Sequence, residues 1–399
     1  MTGLINWFAQ IGSLTSFGLM SIPRRRGAVA ATMIGIAGVV AVLVGVLSIA
    51  AGFQQTLSAS ATAEQAIVLR SGADTEMMSG FDHETTRLIA DAPGLARNSA
   101  GPLSSAELFV IIEIPKRSTG TDANVPLRGI DPMGFEVRRQ IKMISGRKNQ
   151  WGKNEVIAGI GAARQFAGLE TGGSIKVGRA QWPVVGIFSS GGGAADSELW
   201  TDGRVLQAAY NRGDTYNVVH VKLNSAGAFL ELKDYLSRDP RLSVKVERES
   251  DYYAEQSTSV TKLITTLGVL VAFLMALGAV FAALNTMYSA VSARVREIAT
   301  LRALGFGSGA VVTSLMIESL LLAVSGGVVG AVVAYFIFND FQTSTLNWQS
   351  FSQVTFAFKV TPQLLLRGLL WAAVIGLVGG FLPALRAARL PIASALREL

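Results

Sequence analysis

Long apolar runs dominate the pattern of this 399-residue chain, and a long mixed region separates the first run from the second. The runs lie at residues 28–51, 261–293, 310–338 and 364–385, and almost no charged residue interrupts them. A helix of about 20 apolar residues spans the hydrocarbon core of a bilayer, which is roughly 30 Å thick. Each run therefore predicts a transmembrane helix. The second run is longer than a bilayer requires, so we expect it to tilt or to protrude, and we expect Pro383 to end the fourth.

Residues 52–260 show a different pattern. Short stretches of β-branched and apolar residues, separated by glycines, predict strands at residues 107–114, 125–130 and 182–188 among others, and residues 131–143 predict a helix. Short strands mixed with helices indicate an α+β domain. The predicted fold is therefore an α-helical membrane protein with four transmembrane helices, and with an α+β extracytoplasmic domain with stalk ends inserted between helices 1 and 2.

Three further segments complete the chain. Residues 1–27 predict an amphipathic helix on the inner membrane surface, and residues 386–399 form a tail. Residues 339–363 predict a short outer loop whose aromatic residues suit the membrane interface; they are Phe341, Trp348, Phe351, Phe356 and Phe358. A cleaved signal peptide is the competing interpretation of residues 28–51, but the apolar stretch is too long for one.

The distribution of charge predicts the orientation. Lysines and arginines exceed acids by 35 to 28, and the excess lies beside the apolar runs, outside the mixed region. Loops rich in Lys and Arg stay in the cytoplasm. We therefore expect both termini and residues 294–309 to be cytoplasmic and the large domain to be external. Basic residues placed this way give no indication of nucleic-acid binding.

The stretch at residues 291–309 lies between the second and third runs. Ile298, Leu301 and Leu304 have the spacing of a short amphipathic helix on the membrane surface, and Gly305 permits a sharp turn. By its composition alone, the stretch can be interpreted as a basic loop that only sets the topology.

The amino-acid sequences of three segments resemble those of one protein family. R-E-I-A-T-L-R-A-L-G-F at residues 296–306, I-E-S at 317–319 and P-A-L-R-A-A-R-L-P-I-A-S-A-L-R-E-L at 383–399 resemble ABC transporter permeases of the MacB/FtsX type, which include the lipoprotein-release permeases. The resemblance implies that the first segment is a coupling helix that docks on an ATPase. The coupling residues would be Arg294, Arg296, Glu297, Ile298, Leu301, Arg302, Leu304 and Gly305, and the C-terminal motif would comprise Pro383, Arg386, Pro391 and Arg397.

The same resemblance implies the partners and the function. The partners would be a cytoplasmic ABC ATPase dimer, a second copy or a homologous permease, the lipid bilayer, and a membrane-fusion or periplasmic protein. ATP and magnesium would bind to the ATPase. The chain would be a multi-pass protein of the bacterial inner membrane that converts ATP hydrolysis into movement of its periplasmic domain and so drives export or extraction of a substrate. An FtsX-like scaffold that activates a cell-wall hydrolase is the alternative.

Candidate chemistry within the chain is sparse. There are no cysteines and two histidines, and we find no nucleotide-binding motif. Residues 146–154 imitate a P-loop, but the spacing is one residue too long and Asn154 replaces the Ser or Thr that would hold magnesium. We therefore expect no catalytic, cofactor or metal site in this chain.

Two features inside the third run are candidate functional positions. Glu318 is an acid within a predicted span, which is costly unless it is paired or lies at the water edge. It could be a border residue facing water or the partner of an arginine in the coupling loop, and the sequence favours neither. A face of small residues permits close helix packing; it comprises Ala323, Gly327, Gly330 and Ala334.

Overall fold

The computed structural model describes residues 2–20, 22–59, 62–347, 352–389 and 391. The chain divides into two compact units. The first, here called the helical unit, comprises Met1–Ala51, Leu263–Phe341 and Phe358–Leu399, and the second, here called the outer domain, comprises Gly52–Lys262 and Gln342–Ala357. The outer domain is thus built from two segments, and the second of them lies between the last two long helices.

Eleven α-helices are found among the described residues. They are α1 (Thr2–Met20), α2 (Arg26–Ser58), α3 (His83–Ala90), α4 (Gly134–Val137), α5 (Ile160–Gln165), α6 (Gly203–Ala209), α7 (Ala228–Arg238), α8 (Glu249–Ser292), α9 (Val295–Ala303), α10 (Ser308–Phe338) and α11 (Pro362–Ala388). Short 3-10 turns lie at Ile22–Arg25, Glu76–Met78 and Ala194–Ser197.

Four of these helices, α2, α8, α10 and α11, are long and apolar enough to cross a membrane. The helix that contains the second apolar run, α8, has 44 residues and continues without a break from the outer domain, as expected for a span with a stalk. The prediction that Pro383 ends the fourth span is wrong, because α11 continues through it to Ala388. Ala384 and Ala387 after the proline are fully buried against apolar side chains of α8 and α10, and this packing outweighs the missing backbone donor.

The strands of the described residues have two to twelve residues and are mostly antiparallel to their neighbours. They are β1 (Gln65–Arg70), β2 (Arg97–Asn98), β3 (Gly101–Pro102), β4 (Ser104–Pro115), β5 (Asp122–Ile130), β6 (Lys142–Gly146), β7 (Val156–Gly159), β8 (Ser174–Val177), β9 (Ala180–Ser189), β10 (Leu199–Asp202), β11 (Val218–Lys222), β12 (Val244–Arg248), β13 (Gln342–Asn347) and β14 (Ser352–Ala357).

Ten of these strands form one mixed sheet in the order β12-β1-β11-β4-β5-β10-β7-β9-β6, with β8 beside β9. The long strand β4 joins its two halves. The first residues of β4 pair with β11, and the residues from Leu108 to Pro115 pair with β5. Each half has its own apolar core, one on the β1-β11-β12 side and one on the β5-β7-β9-β10 side.

The prediction of a helix at residues 131–143 is wrong. Only the single turn α4 forms there, and strand β6 follows it. The backbone leaves the helical conformation at Arg138, whose side chain is buried and bound to Glu107. A buried ion pair therefore overrides the helical pattern of these residues.

The predicted outer loop at residues 339–363 is largely a β-hairpin, β13–β14, that belongs to the outer domain. The expectation that its aromatic residues face the membrane interface is wrong for two of them. Phe356 is buried and packs edge-on against Phe53 at 5.5 Å between ring centroids, and Phe358 is buried against Phe338 and Phe341. Trp348 and Phe351 lie outside the described residues.

Candidate functional site

The predicted coupling stretch forms helix α9, which follows α8 after two residues and precedes α10 after four. Its last turn exposes Leu304, with 74 % of the residue accessible to solvent, and Arg296 and Glu297 are also exposed. Gly305 has φ +99°, a conformation that L side chains rarely adopt, so the chain turns here as predicted. An exposed leucine beside charged residues of both signs is the composition expected at the rim of a protein interface.

Two of the predicted coupling residues face inward in this chain, and their contact with a partner stays a prediction. Ile298 is buried among Met287, Val311 and Leu315. Arg294 is also buried, and its guanidinium donates to Gly18 O at 2.6 Å and to Glu318 Oε2 at 3.3 Å. Leu301 and Arg302 are half-buried. The candidate docking surface therefore consists mainly of Arg296, Glu297 and Leu304.

Glu318 is almost completely buried, with 1 % of its surface exposed, so the interpretation as a border residue facing water is wrong. It pairs with Arg294, in agreement with the alternative interpretation, and also with Arg25. Reasoning from the sequence missed Arg25 and Gly18. The three consecutive arginines before the first apolar run are the available signal, but the positive-inside bias explains them without any partner.

The four small residues of α10 are all buried. They contact two different helices, because a Cβ on Gly327 would lie 2.6 Å from Ala372 Cβ in α11, whereas a Cβ on Gly330 would overlap the backbone of Ala37 in α2. Ala323 and Ala334 belong to the same apolar core. The proposed role of this face in assembly stays a prediction.

The C-terminal motif is described only in part. Pro383 is buried, and the Arg386 guanidinium lies 5.6 Å from the centre of the Tyr288 ring. Pro391 is exposed, and Arg397 lies outside the described residues.

The outer domain holds a second group of buried charges, here called the buried charge cluster, at the junction of the two half-sheets. Arg128 of β5 is 2 % exposed and binds three carboxylates, those of Glu76, Glu107 and Glu198, at 2.7, 3.1 and 2.8 Å. Arg138 binds Glu107 as well, at 2.7 Å. The signal in the sequence was a charge within an apolar strand, as at Glu107 and Arg128, and sequence reasoning missed it.

The electrostatics of the cluster follow from its burial. Burial alone would lower the pKa of Arg128, but its carboxylate partners outweigh burial and hold that pKa well above its usual value. Burial raises the pKa of Glu76, and Arg128 opposes the rise. Burial, aided by Arg138 and Arg128, lowers the pKa of His220 far below its usual value, so this imidazole is neutral. The cluster therefore depends on its two guanidinium groups for positive charge.

The hairpin β13–β14 is hydrogen-bonded to the rest of the outer domain. Gln165 Nε2 donates to Ser344 Oγ at 2.6 Å, and Thr355 N donates to Ser197 Oγ at 2.8 Å. A third bond joins Thr355 Oγ1 to Gln165 Oε1. These contacts anchor the segment between α10 and α11 on the outer domain.

Among the residues that the structure describes, no group of three or more His, Asp or Glu side chains could hold a metal ion. In the segment that imitates a P-loop, Arg147 forms an ion pair with Glu155 at 2.6 Å. The hydrogen bond from Arg147 lowers the pKa of Glu155 to about 2.

Two family models match this chain. The family model of the MacB-like periplasmic core domain matches residues 29–238, and that of the FtsX-like permease C-terminal region matches residues 269–392. Macrolide export ATP-binding/permease protein MacB 1/2 of Paracoccus denitrificans is 24 % identical over 81 % of this chain and 49 % of its own length. An uncharacterised ABC transporter permease of Bacillus subtilis, YknZ, is 31 % identical over 35 % of this chain and 32 % of its own length.

The chain spans about half the length of the MacB relative, or less for YknZ. Among solved structures, the periplasmic region of MacB from Actinobacillus actinomycetemcomitans is 12 % identical and covers 50 % of this chain and 95 % of its own length, with a TM-score of 0.37. The extracellular domain of YknZ from Gram-positive bacteria is 18 % identical and covers 46 % of this chain and 99 % of its own length, with a TM-score of 0.34.

Proposed function

Since the chain belongs to the family of ABC transporter permeases with a MacB-like periplasmic core domain and an FtsX-like C-terminal region, we propose that it transmits ATP-driven movement to its outer domain. One observation carries this proposal. Helix α8 is continuous from Glu249, in the outer domain, to Ser292, two residues before α9. A continuous helix is a rigid element, so a displacement of α9 is passed along it.

The energy would come from an ATP-binding partner. This chain has no nucleotide-binding motif, and the relatives' names join an ATP-binding part to a permease part. We propose that the partner binds the exposed surface of α9, where Leu304 supplies an apolar surface and Arg296 and Glu297 set register and partner choice. The assembly would contain two permease chains and two ATPases, with ATP and magnesium bound to the ATPases, and with a membrane-fusion or periplasmic protein as a further partner.

The work performed would be export or extraction of a substrate from the inner membrane or the periplasm. We propose that α2, α8, α10 and α11 span the inner membrane, that both termini and α9 are cytoplasmic, and that the outer domain is periplasmic. Arginines beside α2, α9 and α11 support this orientation.

Charge and polarity changes on α9 test the docking surface. Leu304→Asp and Glu297→Arg should leave the chain in the membrane but reduce co-purification of the ATP-binding partner by more than about tenfold. The first places a charge on an apolar contact, and the second sets a like charge against the partner, which costs several kcal/mol. Glu84→Arg, a charge reversal at another exposed glutamate, in the outer domain, is the matched control. Full partner binding by both α9 variants would contradict the proposal.

Labelling tests the orientation. The chain has no cysteine, so Lys153→Cys on an exposed loop of the outer domain gives a single reactive thiol. A membrane-impermeant maleimide should label it from the periplasm of cells with a permeabilised outer membrane. Labelling only after the inner membrane is broken would show that the orientation is reversed.

A further inference from the structure

The buried carboxylate of Glu318 connects segments that are far apart in the chain. It accepts from Arg294, the residue between α8 and α9, and pairs with Arg25, the residue before α2. Arg294 also donates to Gly18 O near the end of α1. Glu318 of α10 therefore joins the start of α2 to residues 293–294, here called the elbow, and Arg294 of the elbow joins α1. Gly18, Arg25, Arg294 and Glu318 are here called the Glu318 node.

Packing around the node is tight. A Cβ on Gly18 would lie 2.6 Å from Glu318 Oε2, so α1 approaches α10 as closely as a glycine allows. Thr15 Oγ1 donates to Ser314 Oγ at 3.2 Å, one turn from Glu318 on α10. Glu318 and Arg294 are buried and the Arg25 side chain is 14 % exposed, so solvent screens their charges only weakly.

The node joins elements that the chain itself does not join. Helix α9 is linked to α8 through the elbow and to α10 through a short turn, and a displacement of α9 reaches both along the backbone. Helix α2 has no such link to α9. Its polar connections to this region include Arg25 at the node and Thr32 Oγ1, which lies 2.6 Å from Thr286 Oγ1 of α8.

We infer that Glu318 is a positioning residue that makes the start of α2 move together with the elbow of the coupling helix. The inference rests on the proposed function, because it concerns the movement that an ATP-binding partner would impose on α9. The two helices that lead into the outer domain, α2 and α8, would then both move when α9 moves, although only α8 is next to α9 in the chain.

Cross-linking tests the geometry without any partner. In the cysteine-free chain, Thr32→Cys with Thr286→Cys places two thiols where the hydroxyl groups now touch, and it removes a second polar connection between α2 and α8. In native membranes the disulfide should form readily, and adding Glu318→Gln should reduce its yield by more than about threefold, because the two arginines lose their common anion. Arg26→Gln, which removes an exposed arginine next to the node, should leave the yield unchanged.

A second measurement separates positioning from stability. Glu318→Gln should retain normal membrane levels and normal co-purification of the ATP-binding partner, whereas complementation of the deletion strain should fall by more than about tenfold, as expected when the coupling between two sites is removed. Since two arginines that have lost their common anion could unfold the region, the double variant Arg25→Gln with Glu318→Gln is measured beside it. This variant removes one of the two arginines and should give the same loss.

The outcomes are distinct. An unchanged cross-link yield in the Glu318→Gln chain would overturn the inference, as would full complementation. Loss of partner binding or of membrane insertion together with activity, in both the single and the double variant, would show a purely structural role and would also overturn it. If the unsubstituted chain binds no ATP-binding partner, the proposed function fails, and the cross-link yield still decides whether the node holds α2 to the elbow.

Discussion

Replacement of Arg128 by methionine would test whether the buried charge cluster holds the outer domain together. Methionine retains much of the volume of the side chain but leaves Glu76 and Glu198 without their positive partner, while Glu107 keeps Arg138. A buried carboxylate without a partner takes up a proton instead of remaining charged. The ordinary pKa of a glutamate is 4.5, and pH 7 lies 2.5 units above it. Protonating each carboxylate at pH 7 therefore costs about 3.4 kcal/mol.

Two protons therefore set an upper limit of about 7 kcal/mol, and the measured cost of breaking a buried ion pair is about 3–5 kcal/mol. We expect the variant to lose about 3–5 kcal/mol of stability at pH 7. The loss should shrink at lower pH, because the native variant binds two protons that the unfolded chain releases above pH 4.5. At pH 5 the protonation cost is only about 1.4 kcal/mol in total.

The assay is urea unfolding of the full chain in detergent at pH 7 and pH 5, followed by near-UV circular dichroism and tryptophan fluorescence. Trp200 is a suitable reporter because it is buried and donates to Glu198 at 2.7 Å. Arg139→Met, which breaks an exposed pair with Glu136, is the control and should change little. A loss below about 1 kcal/mol at pH 7, or an equal loss at both pH values, would refute the reasoning.

Three other predictions concern a contact between helices, a buried carboxyl group and the hairpin. Gly330→Leu should prevent α10 from packing on α2 and lower the yield of folded protein in detergent, whereas Gly278→Leu, where a side chain meets open space, should be tolerated; equal yields would contradict this. Burial and the nearby Glu107 raise the pKa of Asp131 to about 6, so the native state binds its proton more tightly than the unfolded chain. Stability should fall as pH rises from about 4 to about 6, and Asp131→Asn should remove that part of the slope in urea titrations. Gln165→Cys with Ser344→Cys should form a disulfide that ties the hairpin to the outer domain, and failure to form under mild oxidation would show that the hairpin lies elsewhere.

Much of the fold could be predicted from hydrophobic periodicity. The four apolar helices, the mixed domain between the first two and the short helix α9 follow from local patterns, because helix length and side-chain spacing are properties of neighbouring residues. The turn at Gly305 could be predicted for the same reason, since the need for a positive φ is local. The family resemblance also rested on contiguous motifs, and the comparisons confirmed it.

What the sequence could not determine was which distant residues meet. The residues around Glu318 in the sequence do not show whether it faces water or an arginine. Its pairing with Arg25 and Arg294 depends on how α1, α2 and α10 pack. The turn α4 ends where Arg138 finds Glu107, which lies 31 residues earlier in the chain. The hairpin β13–β14 joins the outer domain for a similar reason, through Gln165 and Ser197. The pattern of residues along a helix or strand shows which of its faces is apolar. A buried charge is stable only beside a partner, and tertiary packing alone brings that partner into place.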